Sequence, residues 1–420
     1  MGLRRENSAV SNACYNSLTL KPAGIYIHIP FCRSRCSYCD FATSMYSAPL
    51  ADRYVSSLAH EIESWRPWFE GEETATPGEV KLDPKHITGG VNAGIDVDTI
   101  YFGGGTPSLL SPAQLEALLG AARSRFNVAG DVEITMEMNP GTVTPDTLSS
   151  FRALGVNRAS FGAQTFDDAE LARLGRSHTS DDTRRTFQYL RDAGFSNVSF
   201  DLIAGLPGQS LEGWKRNLDE AFALRPEHLS FYLLEVHQGT PLAEHISRGI
   251  QPKPDEDLAT EMYEVMLDRA GDQGYRHYEI SNLCLPGYES RHNTKYWTGA
   301  PYYGFGCSAH SYDGRSRRWA NERDLIRYLE KMDQHNSARV NETQLTEADR
   351  QAEAVFLGLR MMQGFSLEEH ERMFGRDLRS THQNDLTRFL EAGLVECNGD
   401  LLRLTRAGAL LSNEVFLAFV

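Results

Sequence analysis

An apolar run that predicts a buried strand ends where three cysteines begin. The segment from residue 27 to 44 reads IHIPFCRSRCSYCDFATS, with Cys32, Cys36 and Cys39 in a C-x3-C-x2-C spacing and no fourth cysteine after them. A structural zinc site usually takes four protein ligands. Three thiolates on a cubane iron–sulfur cluster instead leave one iron open to a substrate or cofactor. The spacing therefore favours a 4Fe–4S cluster held by three cysteines, with zinc as the alternative.

Strand-like and helix-like segments alternate after this first strand. The candidate strands are GIYIHI (24–29), DTIYFGG (98–104), VEITMEMN (132–139), RASFGAQ (158–164), NVSFDLI (197–203) and HLSFYLLEV (228–236), and the helical patterns are 50–66, 111–126, 144–154, 180–194 and 210–224. Alternation of this kind is typical of βαβ units and a parallel sheet. The pattern predicts an α/β fold, either an incomplete parallel (β/α)6 barrel that is open on one side or a doubly wound sheet.

Composition and spacing divide the chain into four predicted segments. These are a flexible tail (1–23), a barrel core with a polar insertion (24–250, insertion 70–97), a connecting segment (251–345) and a smaller, mostly helical C-terminal domain (346–420). The C-terminal domain combines helical patterns with a short hairpin, which is typical of a winged-helix module. It lacks a densely basic recognition helix, so packing or partner docking is favoured over DNA binding.

Charge and hydropathy exclude two classes of function. The formal net charge is −15, which disfavours a general nucleic-acid partner because phosphate binding needs a basic face. No apolar stretch reaches the ~18–20 residues of a membrane span, and the N-terminus lacks the apolar region of a signal peptide. Seven cysteines in a chain of this length indicate free thiols or metal ligands rather than a disulfide framework. We therefore expect a cytoplasmic protein.

A glycine-rich turn follows the second predicted strand. The sequence YFGGGTPSLL places Gly103, Gly104, Gly105 and Thr106 at the end of that strand. Glycines let the backbone approach a ligand closely, and free peptide groups can hold a small polar moiety. Barrel sites form at the carboxyl ends of the strands. We expect the cysteine loop and the glycine turn to line one site.

These motifs together resemble a known superfamily. The C-x3-C-x2-C loop followed by GGTP is similar to the radical S-adenosylmethionine superfamily. HIPFC, EMNP, GAQTF, LGRSH and DLIAGLPGQ resemble its branch that contains oxygen-independent coproporphyrinogen III oxidase and haem chaperones. The resemblance runs from about residue 24 to the C-terminus. It implies an incomplete radical S-adenosylmethionine barrel followed by a smaller, mostly helical domain.

The resemblance also implies a second cofactor and its contacts. The amino and carboxylate groups of S-adenosylmethionine would bind the open iron, and an electron delivered by a donor would cleave the sulfonium to give a 5′-deoxyadenosyl radical. By position, the implied cofactor contacts are Tyr26, Tyr38, Gly104, Gly105, Thr106, Glu137, Gln164, Arg176 and Asp201. Carboxylates suit hydroxyl and amino groups, and arginine suits a carboxylate. The alternative for each residue is an ordinary polar position at a strand end.

Two departures separate this chain from the decarboxylating oxidases of that branch. Those oxidases resemble one another in a fourth cysteine, C-x3-C-x2-C-x-C, and in a longer N-terminal extension. Here Asp40 and Phe41 follow Cys39, and only about two dozen residues precede the first strand. Both features favour the haem-chaperone side of the branch. Oxygen-independent coproporphyrinogen III oxidase remains the alternative function, and a structural iron–sulfur scaffold is a weaker one.

The segment RHNTKYW, residues 291–297, resembles the HNxxYW motif of the chaperone side. It implies His292 as an axial ligand of haem iron, with Tyr296 and Trp297 as aromatic surface for the porphyrin. His310 and Cys307, in GFGCSAHSY, are rival ligands. Without the resemblance, a histidine that caps a turn near core aromatics is favoured. His237 stands where relatives generally carry a glutamate, so its role is open.

The resulting prediction is a protein that binds haem as cargo and passes it to an acceptor protein. It would carry a 4Fe–4S cluster and S-adenosylmethionine, and whether it also catalyses a reaction is left open.

Overall fold

The computed structural model describes residues 21–67 and 94–419. Most of the predicted tail 1–23 and of the predicted insertion 70–97 lies outside the described residues. At the described ends of both segments, Ala23 belongs to the first strand and Asp96 opens the second parallel strand.

The strands are β1 (Ala23–Ile29), β2 (Phe31–Cys32), β3 (Ser44–Met45), β4 (Asp96–Gly104), β5 (Asn127–Met138), β6 (Arg158–Gln164), β7 (Val198–Ala204), β8 (His228–Leu233), β9 (Arg276–Glu279), β10 (Asn282–Cys284), β11 (Tyr302–Phe305), β12 (His310–Tyr312), β13 (Arg317–Asn321), β14 (Arg339–Gln344), β15 (Phe365–Ser366), β16 (Val395–Asn398) and β17 (Leu401–Leu404). The helices are α1 (Ala48–Ser64), α2 (Pro112–Arg125), α3 (Pro145–Leu154), α4 (Asp168–Arg173), α5 (Ser180–Asp192), α6 (Leu211–Leu224), α7 (Pro241–Ser247), α8 (Glu256–Asp272), α9 (Arg291–Trp297), α10 (Leu325–His335), α11 (Glu347–Arg360), α12 (Leu367–Phe374), α13 (Leu378–Thr381), α14 (Gln383–Glu391), α15 (Arg406–Leu410) and α16 (Ser412–Phe416).

One large sheet forms the core of the chain. Its strand order is β14-β13-β12-β11-β1-β4-β5-β6-β7-β8-β10-β9. The run from β1 through β4, β5, β6 and β7 to β8 is parallel throughout, which confirms the predicted six-stranded parallel barrel core. The sequence did not predict β11, which adds a seventh parallel strand beside β1.

Alternation along β1 shows why this sheet has a polar inside and an apolar outside. Ile25, Ile27 and Ile29 are fully buried in the hydrophobic core that the helices cover. Tyr26 and His28, between them, point to the opposite face, where their side chains bond to each other. Because successive strand residues face opposite sides, each parallel strand can place apolar side chains toward the helices and polar side chains toward the interior of the barrel.

Helix starts follow the signals present in the sequence. Ser111, Thr144 and Ser210 precede α2, α3 and α6, and each side chain accepts a hydrogen bond from a backbone N–H in the first turn. Such caps satisfy peptide groups that have no partner inside the helix. The helical patterns 111–126, 144–154 and 210–224 therefore begin at capping residues.

Both edges of the barrel are extended by one stretch of chain. The hairpin β9–β10 pairs antiparallel with β8 at one edge, and β11 to β14 extend the sheet beyond β1 at the other. The chain between β10 and β11 therefore crosses the end of the barrel where the parallel strands begin. Helix α9, with the HNxxYW motif, lies on this crossing.

A buried glutamate joins the β11 side of the sheet to the first helix. Glu61 of α1 accepts hydrogen bonds from Gly306 N at 2.9 Å, Asn321 Nδ2 at 2.6 Å and Tyr328 OH at 2.7 Å. Burial raises the pKa of Glu61, although these three donors oppose the shift. One carboxyl group thus ties α1, β13 and α10 together.

The C-terminal part has its own core and a mostly helical composition. Its small sheet, in the order β15-β17-β16, packs with the surrounding helices around a separate apolar cluster. Backbone bonds from Ile280 N to Arg360 O and from Met362 N to Tyr278 O attach it to β9. The predicted smaller helical domain with a hairpin is confirmed. Among the described residues, no helix has the length and apolar character needed to cross a bilayer.

We predict that Glu61→Ala destabilises the fold by roughly 3 kcal/mol, because leaving a buried donor unpaired costs ~1–3 kcal/mol and three donors lose their acceptor. Chemical denaturation monitored by circular dichroism measures the change. Glu63→Ala, at an exposed position of the same helix, is the control and should change the unfolding free energy little. Equal stability of both variants would contradict the tie described above.

Candidate functional site

The three-cysteine loop is closed at its base by backbone pairing. After β1, the strand β2 pairs in parallel with β3, so that the chain leaves and returns at the same place. Ser44 N donates to Pro30 O at 2.7 Å, and Tyr46 N donates to Cys32 O at 3.0 Å. The imidazole Nε2 of His28 lies 3.0 Å from Ala42 O, which adds a side-chain tie. The thiols are thereby held at the carboxyl end of β1.

The environment of the thiols suits thiolate ligands. Cys32, Cys36 and Cys39 are unpaired and partly buried. The Thr106 hydroxyl lies 3.6 Å from Cys32 Sγ, and Arg176 Nη1 lies 3.5 Å from Cys36 Sγ. Burial raises the pKa of Cys32 and of Cys39, so a bound metal centre is what would keep these thiols deprotonated.

The number and kind of donor side chains indicate which type of metal centre the cysteine loop can hold. Among the described residues, no group of three His, Cys, Asp or Glu side chains converges tightly enough to hold one metal ion. Zinc needs four ligand atoms at about 2.0–2.3 Å from one centre. Three partly buried thiols from one loop are the donor set of a 4Fe–4S cluster with one open iron, and the residues present fit this group by their chemistry.

The glycine turn after β4 interlocks with the cysteine loop. Gly105 N donates to Ile29 O at 2.8 Å. A Cβ at residue 105 would lie 2.8 Å from Phe31 O, and one at Gly104, whose φ is +112°, would lie 2.5 Å from His28 Cε1. Only glycine fits both positions, because backbone atoms and a fixed imidazole ring cannot give way. Thr106, which follows, is buried and accepts a hydrogen bond from Asn139 Nδ2 at 2.9 Å.

Two carboxyl groups lie inside the barrel near these loops. Tyr101 OH donates to Glu137 Oε1 at 2.8 Å, and Gly104 N donates to Glu137 Oε2 at 3.0 Å. Burial raises the pKa of Glu137 to about 7, with a further contribution from the negative charge of Asp201. Burial also raises the pKa of Asp201, while hydrogen bonds from Ser230 and Ser160 and the charge of Arg158 oppose this shift. The two carboxyl groups therefore form an acidic pair inside the barrel that can accept hydrogen bonds from amino or hydroxyl groups.

Arg176 and Gln164 complete this end of the barrel. Arg176 Nη2 donates to Asn139 Oδ1 at 2.8 Å and to Gly162 O at 2.7 Å. Gln164 has a φ of +64°, and the β6–β7 register shifts just before it. Residues other than glycine rarely adopt a positive φ, and backbone strain of this kind is concentrated at functional sites.

The structure brings the predicted cofactor contacts together. Tyr38 interacts electrostatically with Arg176, Cys36 and Asp201, and Tyr26 interacts with Glu137. Tyr26 and Asp201 lie in the middle of β1 and β7, inside the barrel. The other candidates lie at the carboxyl ends of strands or in the loops that follow them, and these are Tyr38, Gly104, Gly105, Thr106, Glu137, Gln164 and Arg176 beside Cys32, Cys36 and Cys39. Their roles in binding S-adenosylmethionine stay predictions.

Of the haem-binding candidates, His292, Tyr296 and Trp297 contact one another on α9. His292 is 1% exposed, with Nδ1 2.9 Å from Thr99 Oγ1 and Nε2 2.9 Å from Tyr296 OH. Burial lowers the pKa of His292 to about 3, so the ring is neutral. Trp297 lies under the Arg360 guanidinium, at 4.1 Å from the ring centre, and so contacts the C-terminal part. The assignment of His292 to haem iron stays a prediction, and both of its ring nitrogens are engaged in this conformation.

The other candidates lie elsewhere. His310, on β12, is exposed, whereas Cys307 is fully buried and bonded to Tyr54. His237 is half-exposed and lies 3.7 Å from Glu235.

Sequence reasoning missed Tyr101 and Asn139 as parts of the site. Tyr101 stands two residues before Gly103, so strand alternation would have placed both on the same face of the sheet. Asn139 is the asparagine of the EMNP motif. These were the signals that could have identified the two residues.

Comparisons with known proteins follow the same division of the chain. The family model of the radical SAM superfamily matches residues 26–221, and that of the HemN C-terminal domain matches residues 345–411. The heme chaperone HemW of Lactococcus lactis is 34% identical over 400 residues, which cover 95% of this chain and 98% of that protein. The heme chaperone HemW of Bacillus subtilis is 34% identical, with 94% and 98% covered.

Among solved structures, the fold is similar to that of coproporphyrinogen III oxidase (HemN) from Escherichia coli. The TM-score is 0.79 at 23% sequence identity, and the match covers 95% of this chain and 90% of that chain. This is a likeness of fold, which a chaperone and an oxidase of one superfamily can share.

We predict that Cys36→Ser abolishes the iron–sulfur absorption of the anaerobically reconstituted protein, because a cluster with two thiolate ligands is not retained. Iron and sulfide analysis with visible spectroscopy measures the loss. Cys397→Ser, which alters an exposed cysteine of the C-terminal part, should load a full cluster. Full iron content in Cys36→Ser, or stoichiometric zinc in the wild-type protein, would contradict the assignment.

Proposed function

Because this chain belongs to the HemW family of radical S-adenosylmethionine proteins, we propose that it binds haem and transfers it to an acceptor protein. The observation that carries the proposal is the likeness to proteins named as haem chaperones over almost the whole chain. The residue pattern after Cys39, where Asp40 and Phe41 stand in place of a fourth cysteine, supports the same conclusion. A reducing cytoplasm suits a protein with three thiolate ligands.

We further propose how the cofactors are held. Cys32, Cys36 and Cys39 would hold a 4Fe–4S cluster with one open iron. Glu137 and Asp201 would accept hydrogen bonds from amino or hydroxyl groups of S-adenosylmethionine, while the glycine turn lets its methionine end approach the backbone. When bound, these groups supply one-electron cleavage of a sulfonium, for which an electron-donor protein is required.

The interior of the barrel would prepare this pocket in three ways. Tyr101 and Gly104 N fix the orientation of the Glu137 carboxyl group before any ligand arrives. Arg176, bonded to Asn139 and Gly162, keeps its positive charge beside Cys36. The tight contact between the glycine turn and the cysteine loop limits the space open to water. Preorganised dipoles of this kind bind charge more strongly than water does.

For the cargo, we propose His310 as the accessible iron ligand. Strand register places His310 on the same face of the sheet as Tyr312 and Tyr302, which continues the inner face of the barrel beyond β1. The residue as a whole is solvent-exposed, and partial burial of its ring together with the charge of Arg318 lowers the pKa of His310. A neutral imidazole that is accessible to solvent can bind iron without breaking a core contact.

Oxygen-independent coproporphyrinogen III oxidase is the second candidate function, favoured by the likeness of fold. An anaerobic assay of the reconstituted protein with coproporphyrinogen, S-adenosylmethionine and a reductant separates the two. We expect stoichiometric haem binding with little decarboxylation. Robust formation of protoporphyrinogen that depends on S-adenosylmethionine would replace the chaperone proposal with the oxidase.

We predict that His310→Ala shifts the Soret band of the haem-bound protein, because removal of an imidazole ligand changes the axial field of the iron. His292→Ala should leave that band in place and lower the melting temperature instead. Parallel haem titrations of the wild-type protein and both variants measure this. A shifted band in His292→Ala with a normal one in His310→Ala would return the ligand to the HNxxYW motif.

We also predict that S-adenosylmethionine binds more tightly as the pH rises through about 7, the value to which burial raises the pKa of Glu137. Below this pH the protonated carboxyl group, which already accepts hydrogen bonds from Tyr101 and Gly104 N, is a weak acceptor for the amino group of the cofactor; above it, the carboxylate accepts a stronger, charge-assisted hydrogen bond. The titratable groups that face it are Tyr26, Tyr101, Arg158, Asp201, Tyr232 and Tyr296. Equilibrium binding across this pH range should show the rise in the wild-type protein and a flat profile in Glu137→Gln. An equal slope in both proteins would remove Glu137 from the pocket.

A further inference from the structure

We propose that α9 is the floor of the S-adenosylmethionine pocket, and that His292 of the HNxxYW motif positions Tyr101 and thereby Glu137. His292 is then a positioning residue that acts from inside the barrel. This inference rests on the proposed binding of S-adenosylmethionine at the other end of the same strands.

Charged contacts hold α9 against the first residues of the parallel strands. The Glu133 carboxylate of β5 accepts hydrogen bonds from Arg291 N at 3.2 Å and from His292 N at 3.1 Å, which caps the helix. Lys295 Nζ donates to Pro22 O at 2.7 Å and lies 2.5 Å from Asp98. A helix of seven residues is not stable by itself in water. Its position is therefore set by β1, β4 and β5.

Two side chains of α9 enter the barrel from this floor. His292 and Tyr296 are four residues apart, so they lie on one face of the helix. The His292 ring stacks on the Tyr101 ring, with 5.1 Å between centroids and 29° between planes. Its two nitrogens bond to Thr99 of β4 and to Tyr296. The ring is consequently fixed in position and orientation.

From this ring, contacts lead to both loops of the candidate site. Tyr101 donates to Glu137, which accepts from Gly104 N of the glycine turn. Tyr101 also stacks on Tyr26 with 6.1 Å between centroids, and Tyr26 OH lies 3.1 Å from His28 Nδ1. His28 in turn bonds to the end of the cysteine loop. A change at His292 therefore reaches the carboxylate through a single intervening side chain.

Gly24 shows that room for the imidazole is built into the first strand. A Cβ at residue 24 would lie 3.0 Å from His292 Cε1 and Nδ1, and 2.9 Å from Thr99 Oγ1. Neither neighbour is the far end of a flexible side chain, since the imidazole is held at both nitrogens. Gly24→Ala therefore offers a way to displace the ring while the HNxxYW motif itself stays intact.

The test measures binding of S-adenosylmethionine to the cluster-loaded protein, by equilibrium dialysis and by the cofactor's effect on the EPR spectrum of the reduced cluster. We expect His292→Ala to weaken binding about tenfold (~1.4 kcal/mol) and to move the pH midpoint of binding upward. Tyr101→Phe should move the midpoint in the same direction. The reason is that the Tyr101 hydroxyl lowers the pKa of Glu137, and a loosened Tyr101 loses part of this effect. His292→Phe keeps a ring against Tyr101 and should recover part of the affinity. Gly24→Ala should resemble His292→Ala.

Thr294→Ala is the matched control, because this residue lies on the same helix but its hydroxyl donates to Ser290 O at the start of that helix. It should keep both the affinity and the pH midpoint of the wild-type protein. Wild-type affinity and midpoint in His292→Ala and Gly24→Ala would overturn the inference. An equal loss of affinity in Thr294→Ala would overturn it too, since the effect would then belong to the helix as a whole. If the wild-type protein does not bind S-adenosylmethionine, the proposed function falls first, and this inference with it.

Discussion

Ionisable groups inside the barrel have to be compensated by one another, and the rest of the site depends on this balance. Glu137 and Asp201 lie where burial favours their neutral forms. Arg158, which is 1% exposed, contributes a positive charge to the same interior and stabilises both carboxylates. A buried charge without such partners would cost several kcal/mol. The residues of the proposed cofactor pocket are thus also residues that the fold cannot easily exchange.

Strand register is what makes this balance possible. Glu137 of β5 lies opposite Ser160 on the adjacent strand β6, and Asp201 of β7 lies opposite Ser230 on the adjacent strand β8. A slip of one residue would turn each carboxyl group outward, into the apolar layer under the helices. The apolar runs that make the strands recognisable in sequence also fix the register, because isoleucine and phenylalanine on the outer face have only one good arrangement against the helices.

Much of this arrangement could be predicted from the sequence. The six parallel strands have clear apolar patterns, and the carboxyl ends of neighbouring strands necessarily meet, so the cysteine loop and the glycine turn could be placed together. The seventh strand, β11, could not be predicted, because a four-residue segment pairs with a strand far away in the chain. The orientation of the His292 side chain could not be predicted either. The HNxxYW motif gives no sign that Glu133 caps its helix, and local pattern does not tell whether a histidine faces solvent or the interior of a barrel.

The pairing of β11 with β1 also sets an order of events during synthesis. Gly24 and Ile25 find their partners in Tyr302 and Tyr303, so the first strand gains its second neighbour only after most of the chain has left the ribosome. Contacts between such distant segments form slowly, because a long loop must close first. The cysteine loop follows that strand directly and is therefore anchored on one side only until then. Iron and sulfide that arrive before this closure would meet a loosely held loop, so the pairing of β11 with β1 would precede stable insertion of a cluster.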